Sequence, residues 1–220
     1  MWGGKSVKTL GNLKGKTIAA TTPKTSTEIA TREAIKKTAV ISEKDVSFIY
    51  LQTIPAILTA VINGNVAAGT MSAPNTLKAR DAGLSLLIDI AQVNVPGFHL
   101  AYATTEKTLK AYPNSLYAFL KATAEATVLA KQNPAIAKKA IAKYTDTDDA
   151  KIIDGTYEQF SLYWDGALAV RSEPIQSQLS YLDEKDFPRA KEARPGDFFN
   201  NSFADLLRSS GFLQGLGLKQ

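Results

Sequence analysis

The residues of this 220-residue chain best suited to chemistry are hydroxyls and amides at helix starts, rather than thiols, imidazoles or paired acids. Thr21, Thr22, Lys24, Thr25, Ser26 and Thr27 lie between a β-branched run at 17–22 and a helical pattern that begins near Thr27. The arrangement recurs at Gln52-Thr53, after the run 45–51, and at Ser72-Ala73-Pro74-Asn75, after the run 66–72. The chemistry available there is recognition. A helix start leaves backbone N–H groups unsatisfied and carries a partial positive charge, so it suits an anionic or polar group. Each such interaction is worth about 0.3 to 1 kcal/mol when exposed. The local alternative is that Thr25 or Ser26 caps its own helix. Three polar helix starts converging on one sheet edge point to a ligand site as well as to capping.

Covalent and metal chemistry find little to work with. There is no cysteine, hence no disulfide, thiolate nucleophile or Cys-ligated metal, and the single histidine, His99, rules out paired-His metal sites. His99 would be the only base available to a serine hydrolase, and it sits in an apolar run that reads as packed interior. Neither a G-x-S-x-G elbow nor an H-E-x-x-H pair is present. Asp146, Asp148 and Asp149 lack the spacing of a calcium loop and read as caps of the helix that follows. Gly11 to Thr17 has three residues between its glycines where a phosphate cradle needs four, and it precedes a strand rather than a helix. Asn200-Asn201-Ser202 fits a glycosylation sequon and is given no functional weight. The expectation is a protein without cofactor or metal that is not an enzyme.

The elements that position the hydroxyls follow from pattern. Residues 17–22 read as a strand, 27–38 as a helix and 45–51 as a strand; the next helix has Pro55 in its first turn and Gly64 past its end. Residues 66–72 read as a third strand, a helix with Pro74 at its start and Gly83 near its end follows, and 84–91 read as a strand. Strand and helix alternating at this spacing predict βαβ units, that is, a mostly parallel Rossmann-like sheet with helices on its faces. In such sheets ligands bind at the carboxyl ends of the strands.

Beyond Val95-Pro96-Gly97 one extended run (98–104) is followed by an almost wholly helical remainder: a helix from Asn114, whose buried face is read as Leu116, Phe119, Leu120 and Thr123, then 135–144, 148–164, 173–182 and 197–211. The boundary is placed at 102/103. The helical part carries Tyr157, Phe160, Tyr163, Trp164, Phe198, Phe199 and Phe203 without a sheet of its own to cover, so it needs a partner, and self-association through that apolar face is one expectation.

Composition agrees with a globular chain: 45% hydrophobic, 21% charged, net charge +5. The basic residues are interspersed with acids, so no nucleic-acid partner is expected. No apolar stretch approaches the roughly 18 residues of a membrane span, and the opening MWGGKSVKTLG has no apolar signal-peptide core.

The segments NLKGKTIAATTPKTSTEIATREAIKK, VSFIYLQTIPAILTAVINGNVAAGTMSAPNTLKARDAG and PGDFFNNSFADLLRSSGF resemble, in that order, the NMT1/THI5-like substrate-binding proteins of ABC transporters, relatives of nitrate, sulfonate, taurine and pyrimidine-precursor binders. Ala67 stands where many relatives carry an acid. The resemblance implies a type II periplasmic-binding-protein fold, with residues 1–102 as the second lobe and 103–220 as the helical segment that would complete the first. The opening portion of that first lobe would lie outside this sequence. It further implies an extracytoplasmic protein that closes two lobes over a small polar or anionic organic molecule, docks on a membrane permease and touches the membrane only through it. The ligand-binding residues carried over are Thr22, Thr25, Ser26 and Thr27 from the first loop, Ser72 and Asn75 from the third, and Gln52; Lys24 or Lys78 would supply positive charge. The alternatives are an enzyme of pyrimidine or thiamine-precursor metabolism and a ligand-sensing or self-associating module.

Overall fold

The computed structural model describes residues 1–93, 97 and 100–218. It comprises two compact units, the first formed by residues 1–98 and 173–193, the second by residues 99–172 and 194–220. His99 and part of the run 98–104 lie outside the described residues.

The first unit is built on a five-stranded sheet. Its elements in chain order are β1 (Trp2–Gly3), β2 (Lys16–Ala20), α1 (Ser26–Thr38), β3 (Val46–Tyr50), α2 (Ile54–Ile62), β4 (Ala68–Gly69), α3 (Asn75–Asp81) and β5 (Ser85–Leu86). The strand order is β3-β2-β4-β1-β5. β2 pairs in parallel with both β3 and β4, whereas β1 runs antiparallel to β4 and β5. The fold is therefore α/β with a mixed, mostly parallel sheet. β1 is absent from the sequence reading because two residues carry no periodicity. The strands expected at 66–72 and 84–91 are two residues each: β4 pairs with β1 and β2 only at Ala68 and Gly69, and β5 pairs only with the two residues of β1.

Alternation along β2 sorts the helices onto two faces. Ile18 points into a core with Ala34 and Ile35 of α1 and Ala68 of β4, while Ala19 points into a second core with Ile57, Leu58 and Val61 of α2 and Ala79 of α3. α1 thus covers one face and α2 and α3 the other. β4 lies against α2 so closely that residue 69 has no room for a side chain: a Cβ there would stand 2.2 Å from Ile57 Cγ2. Connections out of β2 and into β4 run over opposite faces, so the neighbouring carboxyl ends of β2 and β4 form a topological switch point, where open α/β sheets bind ligands.

The second unit is helical: α4 (Glu106–Ala111), α5 (Pro113–Gln132), α6 (Pro134–Thr145), α7 (Ala150–Ser161), α9 (Ser202–Ser209) and α10 (Phe212–Gly215), with α8 (Ser172–Leu179) leading back into the first unit. Asp149 caps α7, its Oδ1 accepting from the N–H groups of Lys151 at 2.9 Å and Ile152 at 3.3 Å. The buried face of α5 is Ala124 and Val128, flanked by the half-buried Tyr117, Leu120 and Thr123, which corrects the expectation of Phe119. Phe119 is 48% exposed and meets Tyr102 edge-on at 4.9 Å. With Ala122, Ala126, Ala130 and Trp164 these two rings line an open groove of about 410 Å³. The small side chains Ala124 and Val128 draw the packing of α5 to one side, and the larger Phe119 is left on the other.

Candidate functional site

Three helices begin at the carboxyl edge of the sheet, as the parallel pairing requires: α1 after β2, α2 after β3 and α3 after β4. The starts differ chemically. At α2 the Thr53 hydroxyl accepts from the Ala56 N–H at 3.3 Å, so that start is capped by its own side chain. At α1 the N-cap is Thr25, in extended geometry (φ −84°, ψ 166°), and its hydroxyl accepts from none of the first-turn N–H groups. It donates instead to the Thr22 carbonyl at 2.8 Å. The first turn of α1, Ser26 to Glu28, thus keeps its backbone donors without a Thr25 cap.

Around that start the hydroxyls converge. Thr21 Oγ1 lies 3.2 Å from both Thr25 Oγ1 and Thr27 Oγ1, donating to the latter. Further along α1, the buried Thr31 donates to the Thr27 carbonyl at 2.7 Å and meets Thr70 Oγ1 at 2.5 Å. A hydroxyl has one proton, so Thr70 donates to Thr31. That bond ties the end of β4 to α1 at the switch point. The loop after β3 is tied in as well, Gln52 N–H donating to the Thr21 carbonyl at 2.7 Å.

The sequence-derived residues therefore fall into two groups. Thr25, Ser26 and Thr27 share the half-buried start of α1, with Thr22 exposed beside them; Gln52 is exposed and held through its backbone. Ser72 is half-buried, its carbonyl accepting from the Asn75 N–H at 3.0 Å, and Asn75 is buried at the first turn of α3, just after the cis Ala73–Pro74 bond. Lys78 is exposed, whereas Lys24 is half-buried and its ammonium pairs with Asp186 at 3.0 Å and lies 5.3 Å from the Phe187 ring centre.

A second, charged layer lies beneath the hydroxyls, and the sequence reading passed over it. Glu28, 5% exposed, accepts from the Lys24 N–H at 2.7 Å, from Arg32 Nε at 2.8 Å and from the Tyr50 hydroxyl at 3.0 Å. Arg32 also reaches Glu43 at 3.3 Å and lies 4.2 Å from the Phe48 ring centre. Glutamate, arginine four residues on and tyrosine closing a strand was the readable signal; it was missed because an i,i+4 pair on a helix is ordinarily a solvated surface pair. Burial pushes the Glu28 carboxyl up, but the Lys24, Arg32 and Tyr50 hydrogen bonds and the Arg32 charge outweigh it, and the net shift is below the ordinary carboxylate value. A carboxyl whose folded pKa is depressed stabilises the fold above its unfolded value of 4.5 and loses that contribution as the pH falls through the folded value. On acidification below about pH 5 the loss of stability is expected to be shallower for Glu28→Gln than for the unmodified chain. Parallel curves would show that the carboxylate is not a linkage group.

Among the described residues no group of three or more His, Asp or Glu side chains could hold a metal ion, and no helix is long and apolar enough to cross a membrane.

A family model described as NMT1/THI5 like matches residues 3–137. Among solved structures, the alkanesulfonate-binding protein SsuA from Xanthomonas axonopodis pv. citri, bound to MOPS, is similar at 18% identity and TM-score 0.65, over 86% of this chain and 63% of that one. The periplasmic aliphatic sulphonate binding protein SsuA from Escherichia coli is similar at 18% identity and TM-score 0.61, over 98% of this chain and 62% of that one. The chain spans less than two thirds of the length of either, and at these identities the likeness establishes the fold. No curated protein matches the chain.

Proposed function

Because this chain belongs to the NMT1/THI5-like family, we propose that it is the solute-binding part of an ABC importer and that its first unit takes a small organic anion at the start of α1. The observation that carries the reading is the uncapped first turn of α1, ringed by the Thr21, Thr25 and Thr27 hydroxyls at the switch point between β2 and β4. Thr22, Thr25, Ser26 and Thr27 would bind the anionic group, with Ser72 and Asn75 contributing from the neighbouring loop and Gln52 from the loop after β3. No covalent step is involved. The similar structures are of sulfonate-binding proteins, and a sulfonate, with three acceptor oxygens, suits a site made of N–H and O–H donors. The lobe division expected at 102/103 is proposed with residues 173–193 assigned to the lobe of residues 1–102, as they belong to the first compact unit. The periplasmic origin of one relative supports an extracytoplasmic location, with a membrane permease as partner.

The test is thermal unfolding of the chain with short alkanesulfonates, alkyl carboxylates and nitrate. A ligand at about a hundred times its Kd adds about 2.7 kcal/mol, which for a chain of this size raises Tm by about 5 to 10 °C. Ser26→Pro is the matched variant. Proline suits the first helical position, and the extended Thr25 tolerates a following proline, so the fold is kept while one N–H and one hydroxyl are removed. Losing one hydrogen bond to a charged group is expected to weaken binding about tenfold or more. If no anion shifts Tm, or Ser26→Pro responds like the unmodified chain, the reading fails.

A further inference from the structure

The loop that presents the hydroxyls does not hold its shape unaided. Lys24 adopts a left-handed backbone conformation (φ 61°), which residues other than glycine take at a cost. It is this bend that brings Thr22 and Thr25 together and returns Thr21 toward Thr27. The Lys24 N–H points at the buried Glu28, one turn into α1, and bonds its Oε2 at 2.7 Å. Glu28 Oε1 is committed to Arg32 and Tyr50, so the carboxylate is itself fixed from α1 and from the end of β3. Thr25 gives α1 no cap, and the Glu28 side chain reaches back to the residue ahead of the N-cap, doing for the loop what a capping side chain does for a helix.

We propose that Glu28 is a positioning residue for the ligand loop: anchored by Arg32 and Tyr50, it holds the Lys24 peptide in its left-handed bend and thereby sets the convergence of Thr21, Thr25 and Thr27. It does not touch the ligand. The inference rests on the reading of α1 as the binding site. It also accounts for an acid in a site proposed for an anion, since the carboxylate faces away into Arg32 and the Lys24 N–H.

The experiment has a readout with ligand and one without. In Glu28→Ala, hydrogen exchange at the Lys24 amide is expected to speed up about tenfold, and affinity for the best alkanesulfonate of the panel to fall about tenfold. Adding Lys24→Gly is the decisive step, because glycine adopts the bend without help. The double variant is expected to bind within about threefold of Lys24→Gly alone, a reference that already lacks the ammonium, and a merely structural loss at Glu28 would not be relieved in this way. Glu28→Gln keeps side-chain length and one acceptor oxygen; it covers the case in which the alanine variant does not fold, and an intermediate loss with the same rescue by Lys24→Gly is expected. Unchanged Lys24 exchange, or no rescue by Lys24→Gly, overturns the proposal. If the unmodified chain binds no anion of the panel, the binding reading fails separately, and the exchange result alone then decides whether Glu28 holds the loop.

Discussion

Gly69→Val is expected to destabilise the first unit by about 3 kcal/mol, a large share of the roughly 5 to 15 kcal/mol that holds an ordinary domain folded. A Cβ at this position would lie 2.2 Å from Ile57 Cγ2, 3.4 Å from Val61 Cγ2 and 3.5 Å from the Ala19 carbonyl oxygen. Ile57 is completely buried on α2, and its branched side chain cannot swing aside, so the helix or the strand must move. The displacement would be carried into the ligand region, because β4 ends at Gly69 and the next residue, Thr70, makes the bond to Thr31. A double-mutant cycle isolates the cause. Ile57→Ala alone removes buried volume and costs about 2 to 5 kcal/mol. Combined with Gly69→Val, the two should cost at least about 1 kcal/mol less than their sum, since each relieves the other. Urea unfolding measures all three; strict additivity, or a single-variant loss below about 0.5 kcal/mol, would show that α2 does not press on β4 as the structure has it.

The second large effect belongs to the helical unit. Leu207 of α9 is fully buried against Ala124 of α5 and Leu213 of α10, with Tyr117, Leu120 and Phe212 around it. Leu207→Ala is expected to cost about 3 kcal/mol. The same change in the first unit would be one loss among two clusters of nine buried residues each, but among the described residues the cluster around Leu207 has three. Exchange protection in α5 and α9 is therefore expected to collapse while β2 and α1 keep theirs. A uniform fall in protection across both units would mean that they unfold as one and that the thin helical core is not the weak point.

The α/β pattern was legible because it is written in long periods. Residues 27–38 and 54–62 show helical spacing, Pro55 and Gly64 mark the start and end of α2, and Ile18 and Ala19 alternate as a strand buried on both faces must. The loop hydroxyls were legible for the same reason: they fall where a strand pattern gives way to a helix pattern. What escaped depended on partners far along the chain. β1 has two residues and becomes a strand only by pairing with Ala68, Gly69, Ser85 and Leu86. Phe119 looked buried because its spacing from Leu116 and Leu120 is helical, but periodicity alone does not say which of two apolar stripes is covered. Lys24 reads in the sequence as a positive charge for the ligand, whereas its partner in the fold, Asp186, stands 162 residues away. The role of Glu28 comes from its burial, and the i,i+4 spacing in E-I-A-T-R does not by itself say that the glutamate is inside.

The discontinuity of the first unit sets an order on its assembly. Residues 1–98 leave the ribosome with the whole sheet, yet the segment 173–193 that completes the unit emerges only after residues 99–172 of the other unit. The ligand loop can bend over Glu28 as soon as residues 24–50 have emerged, whereas Lys24 meets Asp186 only after residues 99–172 have followed. No single cut in the chain yields the two units as intact pieces, so they cannot be expressed apart as two uninterrupted fragments, and a gene that acquired the first unit whole would acquire residues 99–172 of the second with it.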